Sequence, residues 1–156
     1  MPEFDSSHFG RISYEESCTF DFPRGVPGFE HTRRFLPLSL PDRRPLIFLQ
    51  SLDDPALCFI TLPVLAVDRG YRLEVSAEDL AVLELPARPQ PRIGQEVLCL
   101  AVISLREAGP TANLLAPIVV NLQARRAVQA IAPGGEYSHQ HPLLGEPPAG
   151  AEDAPC

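Results

Sequence analysis

Proline limits the folds open to this chain more than any other feature. Eighteen prolines are spread along 156 residues, and the longest run without one is Val64 to Leu85. Proline removes a backbone donor, breaks helix interiors and is confined to strand edges, strand ends and bulges. A coiled coil or a bundle of long helices is excluded. Many short strands joined by Pro-marked turns fit the spacing. The length suits one domain, able to bury roughly two-thirds of its unfolded surface. Apolar content of 45% and charged content of 21% are ordinary for a globular chain.

Charge narrows the function classes. The basic residues are 13 Arg with no Lys, and the formal net charge is -7. The acidity sits at the ends: residues 1–22 hold five acids and one Arg, and residues 144–156 hold three acids and no Arg. The body between them is balanced. No basic face for phosphate backbones is indicated, so no direct nucleic-acid partner is expected. The most apolar stretch, Val97 to Leu105, is 9 residues, far below the ~20 that cross a bilayer. The N-terminus has neither a basic nor an apolar signal region. No membrane span is expected, and a cytoplasmic location is. Cys18, Cys58, Cys99 and Cys156 are at least 40 residues apart without a C-x-x-C pair. They are expected to be reduced and mostly buried.

Several segments alternate like strands. Ser17 to Phe22 alternates strictly, and Pro23-Arg24-Gly25-Val26-Pro27-Gly28 then marks a turn. Phe35–Leu40, Leu46–Gln50, Leu57–Leu62 and Tyr71–Val75 follow as short candidates. Ser76, with Asp79 three residues on, predicts a capped helix of two to three turns ending before Pro86. Glu96–Leu105 is apolar on both parities, as expected for a central strand covered on both faces. Ala112–Leu122 and Ala127–Ile131 read as two more. Eight or nine short strands and one helix imply a mainly β class, a small antiparallel β-barrel-like domain with one short helix over 1–143. From Leu144 the composition turns to Gly, Pro, Ala, Glu and Asp. An acidic, disordered tail is expected over 144–156.

The chemical inventory is thin. His139 and His141 form an H-x-H pair without a second ligand pair at zinc spacing. Tyr137-Ser138-His139 lacks a nucleophile elbow and an orienting acid. No catalytic residue, metal or cofactor is expected. Asp53-Asp54 before Pro55 reads as a turn, and Arg125-Arg126 as solvated arginines. The stretch Asn113 to Asn121 is apolar, bracketed by two Asn and interrupted by Pro117. It reads as an edge strand, a ready surface for another chain. Asn113, Leu114, Leu115, Ala116, Pro117 and Asn121 are the candidate partner-binding residues.

A further set of motifs runs along the chain: Phe9-Gly10, Thr19-Phe20, Phe22-Pro23-x-Gly25-x-Pro27-Gly28-Phe29-Glu30 and Leu49-Gln50-Ser51-x-Asp53-x-Pro55. Asn113 to Asn121 and Tyr137-Ser138-x-x-His141-Pro142-Leu143 complete it. In order and spacing, over about residues 8–143, the set resembles the flagellar assembly factor FliW family. Two departures stand out. Arg125-Arg126-Ala127-Val128-Gln129 occupies a stretch where the family usually has a Gly, and Gln140 stands where it tends to have Arg. The resemblance implies structural roles for Phe22, Pro23, Gly25, Pro27, Gly28, Phe29, Gln50, Ser51, Tyr137, His141 and Pro142. It implies a cytoplasmic, non-enzymatic protein, monomeric when free, that binds flagellin before export. When free of flagellin it would bind the translational regulator CsrA and relieve repression of flagellin synthesis. Two alternatives remain: a relative that keeps one partner, and an enzyme using the Tyr137–His141 loop.

Overall fold

The computed structural model describes residues 1–133 and 136–143. The expected tail, 144–156, and Cys156 lie outside the described residues. Seven strands close into a barrel: β3 (Phe20–Asp21), β4 (Arg34–Leu38), β5 (Ile47–Ser51), β6 (Cys58–Pro63), β7 (Val97–Ser104), β9 (Ile118–Asn121) and β10 (Arg126–Gln129). Neighbours run β7-β6-β5-β4-β3-β10-β9, and β9 returns to β7, so no strand of the ring has a free edge. Every pairing is antiparallel except β3–β10, which is parallel and consists of a single register pair, Arg126 with Asp21. β8 (Thr111–Ala112) and β11 (His141–Pro142) extend the sheet from the end of β7. β1 (Glu3–Ser6) and β2 (Gly10–Ser13) form a separate N-terminal hairpin.

Period-two alternation sorts the apolar residues into two cores. Leu98 and Leu100 of β7, Ile118 and Val120 of β9 and Ala127 of β10 face the barrel lumen with Phe20, Phe35, Ile47 and Leu49. Their sequence neighbours Val97, Cys99, Ala101, Val119 and Val128 face outward into a second core. That core is roofed by Val64, Tyr71, Val75, Leu80 and Leu83. β7 is therefore apolar on both parities because both of its faces are covered, as its sequence predicts.

The roof carries two short helices where one is expected. α2 (Ala77–Val82) is the expected one: the Ser76 hydroxyl accepts from the Asp79 amide at 3.1 Å. It is shorter than two turns because Glu84 adopts φ +61, and the Leu85 amide reaches back to the Leu80 carbonyl at 2.9 Å. α1 (Val64–Val67), after Pro63, is the addition.

Four other readings are corrected. Ser17–Phe22 is a strand only at Phe20–Asp21, because Glu16–Cys18 winds into a 3-10 turn. Tyr71–Val75 joins no ladder: the Gln90 side chain takes both main-chain groups of Val75, and the Tyr137 hydroxyl accepts from the Arg72 amide. The stretch 112–122 is not one edge strand. Its strand portion, β9, is bonded on both sides, to β7 and β10. Cys18 is disulfide-bonded, whereas Cys58 and Cys99 are free thiols. Burial pushes the Cys58 thiol up to about 11 and raises Cys99 as well, so neither is a thiolate near neutrality.

Arg125-Arg126 is not solvated either. Arg125 adopts φ +61, where an L side chain is strained. Its carbonyl accepts the Asp21 amide at 2.8 Å, and its Nη2 donates to the Cys18 carbonyl at 2.7 Å. Its guanidinium also lies over the Phe20 ring, 4.8 Å from the centroid. Arg126 Nε donates to the Val82 carbonyl at 2.8 Å, and Asn121 Nδ2 to the Leu83 carbonyl at 2.7 Å. The β9–β10 turn thereby holds the C-terminal end of α2.

Gln50 anchors the N-terminal hairpin. It is fully buried on the outer side of β5. Its Oε1 accepts from the Ser6 hydroxyl at 2.7 Å, and its Nε2 donates to the Pro55 and Leu57 carbonyls, both at 3.2 Å. The Phe9 ring meets Phe48 edge-on, 5.5 Å between centroids.

Two stability predictions follow from these contacts. Gln50→Leu strands the Ser6 hydroxyl and the Pro55 carbonyl and should cost about 2–4 kcal/mol. Hydrogen exchange should then accelerate across residues 3–13 before it does in the barrel. Arg125→Ala should destabilise by about 2–4 kcal/mol, because the carbonyl contact and the ring contact both go. Arg125→Gly should cost about 1 kcal/mol less, because glycine tolerates positive φ. Urea denaturation measures both, and equal losses for Ala and Gly would refute the strain at Arg125.

Candidate partner-binding site

The loops at one end of the barrel bring together segments distant in sequence. The 23–33 loop enters from β3, where Phe22 is buried against Phe35, 5.2 Å between centroids. Gly25 has φ +70, and a Cβ there would sit 2.4 Å from the Glu30 carbonyl oxygen. Only glycine fits. Gly28 has φ +87 with open space around it, so its requirement is conformational alone. Hydrogen bonds donated by the Phe29 amide to the Val26 carbonyl and by the Thr32 amide to the Phe29 carbonyl close the loop at 2.7 and 2.9 Å. This presents Phe29, 38% exposed, edge-on to Phe59 of β6.

The β5–β6 turn braces that loop. The Ser51 hydroxyl accepts from the Asp53 and Asp54 amides at 3.1 and 3.0 Å. Asp53 Oδ2 in turn accepts from the Arg33 and Arg34 amides at 2.8 and 3.0 Å. The Asp53-Asp54 pair is thus a turn, as expected, with the Asp53 carboxylate engaged across the loop.

The 113–121 segment divides. Leu114, Pro117 and Asn121 are buried, so three of the six candidate partner residues face the interior. Asn121 Oδ1 accepts the Gln123 and Ala124 amides and shapes the turn to β10. Asn113, Leu115 and Ala116 are partly exposed at the barrel end, where Asn113 Oδ1 accepts the Ala116 amide at 2.9 Å. The Leu114 carbonyl accepts from the Tyr71 hydroxyl at 2.8 Å.

The 137–142 segment is mostly scaffold. The Tyr137 ring lies 4.3 Å from that of Tyr71, and burial raises the Tyr71 phenol above its ordinary range. His141 and Pro142 pair with Ala112 and Thr111. Ser138 accepts from the Gln140 amide. Among the described residues, no three His, Cys, Asp or Glu side chains gather as a metal site. The departure at Gln140 lies beside Arg106: with the amide turned so that its oxygen faces the guanidinium, Arg106 Nη2 donates to it at 2.6 Å.

These loops surround a cleft of about 230 Å³. Val26, Pro27, Phe59, Val102 and Ile118 form its apolar walls. Ser104, Arg106, Asn113, Gln129 and His139 supply its polar lining. Pro27 and Asn113, singled out for different reasons in the sequence, share this one opening. Gln129 and Arg106 were missed because a single polar residue in a strand or turn carries no signal of what lies across from it. Leu105, between Ser104 and Arg106, and Ile131, two residues past Gln129, are exposed apolar residues. The arrangement offers shape, apolar contact and hydrogen bonds, and is suited to recognition.

Comparisons with known proteins agree on one family. The family described as "FliW protein" matches residues 3–143. Flagellar assembly factor FliW of Thermosipho africanus is 32% identical over 141 residues, covering 88% of this chain and 93% of that protein. The counterpart from Carboxydothermus hydrogenoformans is 33% identical over 140 residues, covering 88% and 86%. A solved structure, the crystal structure of the flagellar assembly factor FliW, superposes with a TM-score of 0.80 at 28% identity. It covers 92% of this chain and 98% of that one.

Gly25→Ala should cost about 2–4 kcal/mol, combining the φ penalty with overpacking against backbone. Gly28→Ala should cost only about 1 kcal/mol. Thermal denaturation of the two variants checks the order, and an equal loss would sink the packing argument at Gly25.

Proposed function

Because the chain belongs to the FliW family of flagellar assembly factors, we propose that it binds flagellin in the cytoplasm as a chaperone-like partner. When free, it binds and antagonises CsrA. Flagellin export would then release the factor, remove CsrA from its messenger and let flagellin translation resume. The family match over residues 3–143 carries this reading. An exposed apolar surface beside a cleft supports a binding role over a catalytic one. No helix among the described residues is long and apolar enough to cross a membrane. The accessible part of the candidate segment, Asn113, Leu115 and Ala116, lies on the proposed contact surface.

The switch needs differential affinity and nothing else: each protein ligand shifts the balance only by how much better it binds one state than the other. Charge would act on the rate. A basic partner meets an acidic chain faster, and the gain fades with salt. The N-terminal acids are not equivalent in this respect. Glu3 and Asp5 already pair with Arg11 across the hairpin, at 3.7 and 3.3 Å. Glu15 and Glu16, in the loop that follows, are exposed.

The test is capture from the native host with flagellin and CsrA probed separately, followed by competition with purified proteins. Both should be retained, and excess flagellin should lower the CsrA that remains bound. Retention of one partner alone would mark a single-partner relative. Retention of neither would overturn the proposal.

A further inference from the structure

We propose that the cleft at the barrel end seats an anchor from a bound protein: one large aliphatic side chain with a carboxylate beside it, carried on an extended segment. This rests on the reading of the chain as a protein that works by binding other proteins. Size is the first argument. At about 230 Å³ the cleft is smaller than the roughly 300–1,000 Å³ that hold small-molecule ligands, and it suits a single large side chain. Its rim is the second. Of the five exposed large hydrophobics among the described residues, Phe29 packs edge-on against the cleft wall at Phe59, and Leu105 and Ile131 lie one and two residues along the chain from the lining residues Arg106 and Gln129. Leu105 and Ile131 are 75% and 71% exposed. An apolar rim of this kind is matched by a macromolecular surface rather than by a freely soluble metabolite.

Charge is the third argument. The chain carries a net charge of -7, yet the cleft lining holds no Asp or Glu. Its permanently charged side chain is Arg106, and the His139 imidazole also lines it. A guanidinium steadied by the Gln140 amide is pre-organised for a carboxylate. Backbone recognition is the fourth. Asn113 spends its oxygen on the Ala116 amide, and Gln129 spends its nitrogen on the Ala116 carbonyl. Asn113 keeps an amide donor and Gln129 an amide acceptor, the two groups that one peptide unit of an extended segment pairs with.

The test uses the full chain, isotope-labelled for amide NMR. It is titrated with two blocked tetrapeptides, acetyl-Ser-Leu-Glu-Ser-amide and acetyl-Ser-Leu-Gln-Ser-amide. Shifts should concentrate at Arg106, Asn113, Ile118 and Gln129, with the Glu peptide binding at least five-fold tighter. Arg106→Gln, verified as folded by its amide dispersion, should abolish that preference, and so should high salt. Equal binding of the two peptides, or shifts centred elsewhere, would overturn the proposal. So would shifts at this end that follow protein concentration alone, which would assign it to a second copy. The outcome is separable from the functional reading. Peptides seated in the cleft with no capture of flagellin or CsrA would refute that reading only. Capture of both with no peptide in the cleft would refute this one only.

Discussion

A single parallel contact closes the barrel. β3 and β10 share one register pair, and the bond from the Asp21 amide to the Arg125 carbonyl is the join. Without it, β3 and β10 would be two open edges and the Phe20–Phe35 side of the lumen would lie open to water. So thin a seam needs reinforcement, and Arg125 supplies it twice more through its side chain, to the Cys18 carbonyl and over Phe20. A glycine would take the positive φ of this turn without strain. Arginine accepts the strain, and its head group spans to β3. The strain at Arg125 is therefore compensated within the same residue.

The same turn couples the lumen to the second core. Asn121 shapes it through its oxygen and holds the end of α2 through its nitrogen. Arg126 adds the Val82 carbonyl. The last carbonyls of a short helix are thus satisfied by the strand pair beneath it, in place of the missing next turn. β7, β9 and β10 serve as a common wall, with lumen side chains on one parity and roof-facing side chains on the other. A slip of one residue in β9 would exchange Val119 with its neighbours and spoil both cores together.

How much of this was legible in the sequence follows from the same physics. The two-sided apolarity of Val97–Ser104, the Ser76 cap and the Pro-Gly turns are local signals, and each marks the element found there. Closure is not local. Pro117 made the following strand look like an edge, but proline just before a strand removes no ladder bond, and β9 is paired on both sides. The arginine pair looked solvated because its acceptors, the Cys18 and Val82 carbonyls, are remote in sequence. Tyr71–Val75 has a strand's composition, yet its main chain is bonded by the side chains of Gln90 and Tyr137. Gln50 is read only as a structural motif residue and Asn121 as a partner contact, since a buried amide declares its partners only once the chain is folded.

Half of the predicted contact segment turned inward for the same reason that the remainder is presented. Leu114 and Pro117 are buried at the barrel end, and between them Leu115 and Ala116 are held where solvent reaches them. Asn113, just before them, shares the cleft lining with Val26 and Pro27 of the 23–29 loop, which is held in place by a glycine that nothing larger can replace. A partner that docks at this end meets groups fixed by the barrel, with little ordering left to be done on this side. Binding energy is then not consumed in folding the receptor. Discrimination among protein ligands that dock at this end would then fall to what each presents to one rigid shape.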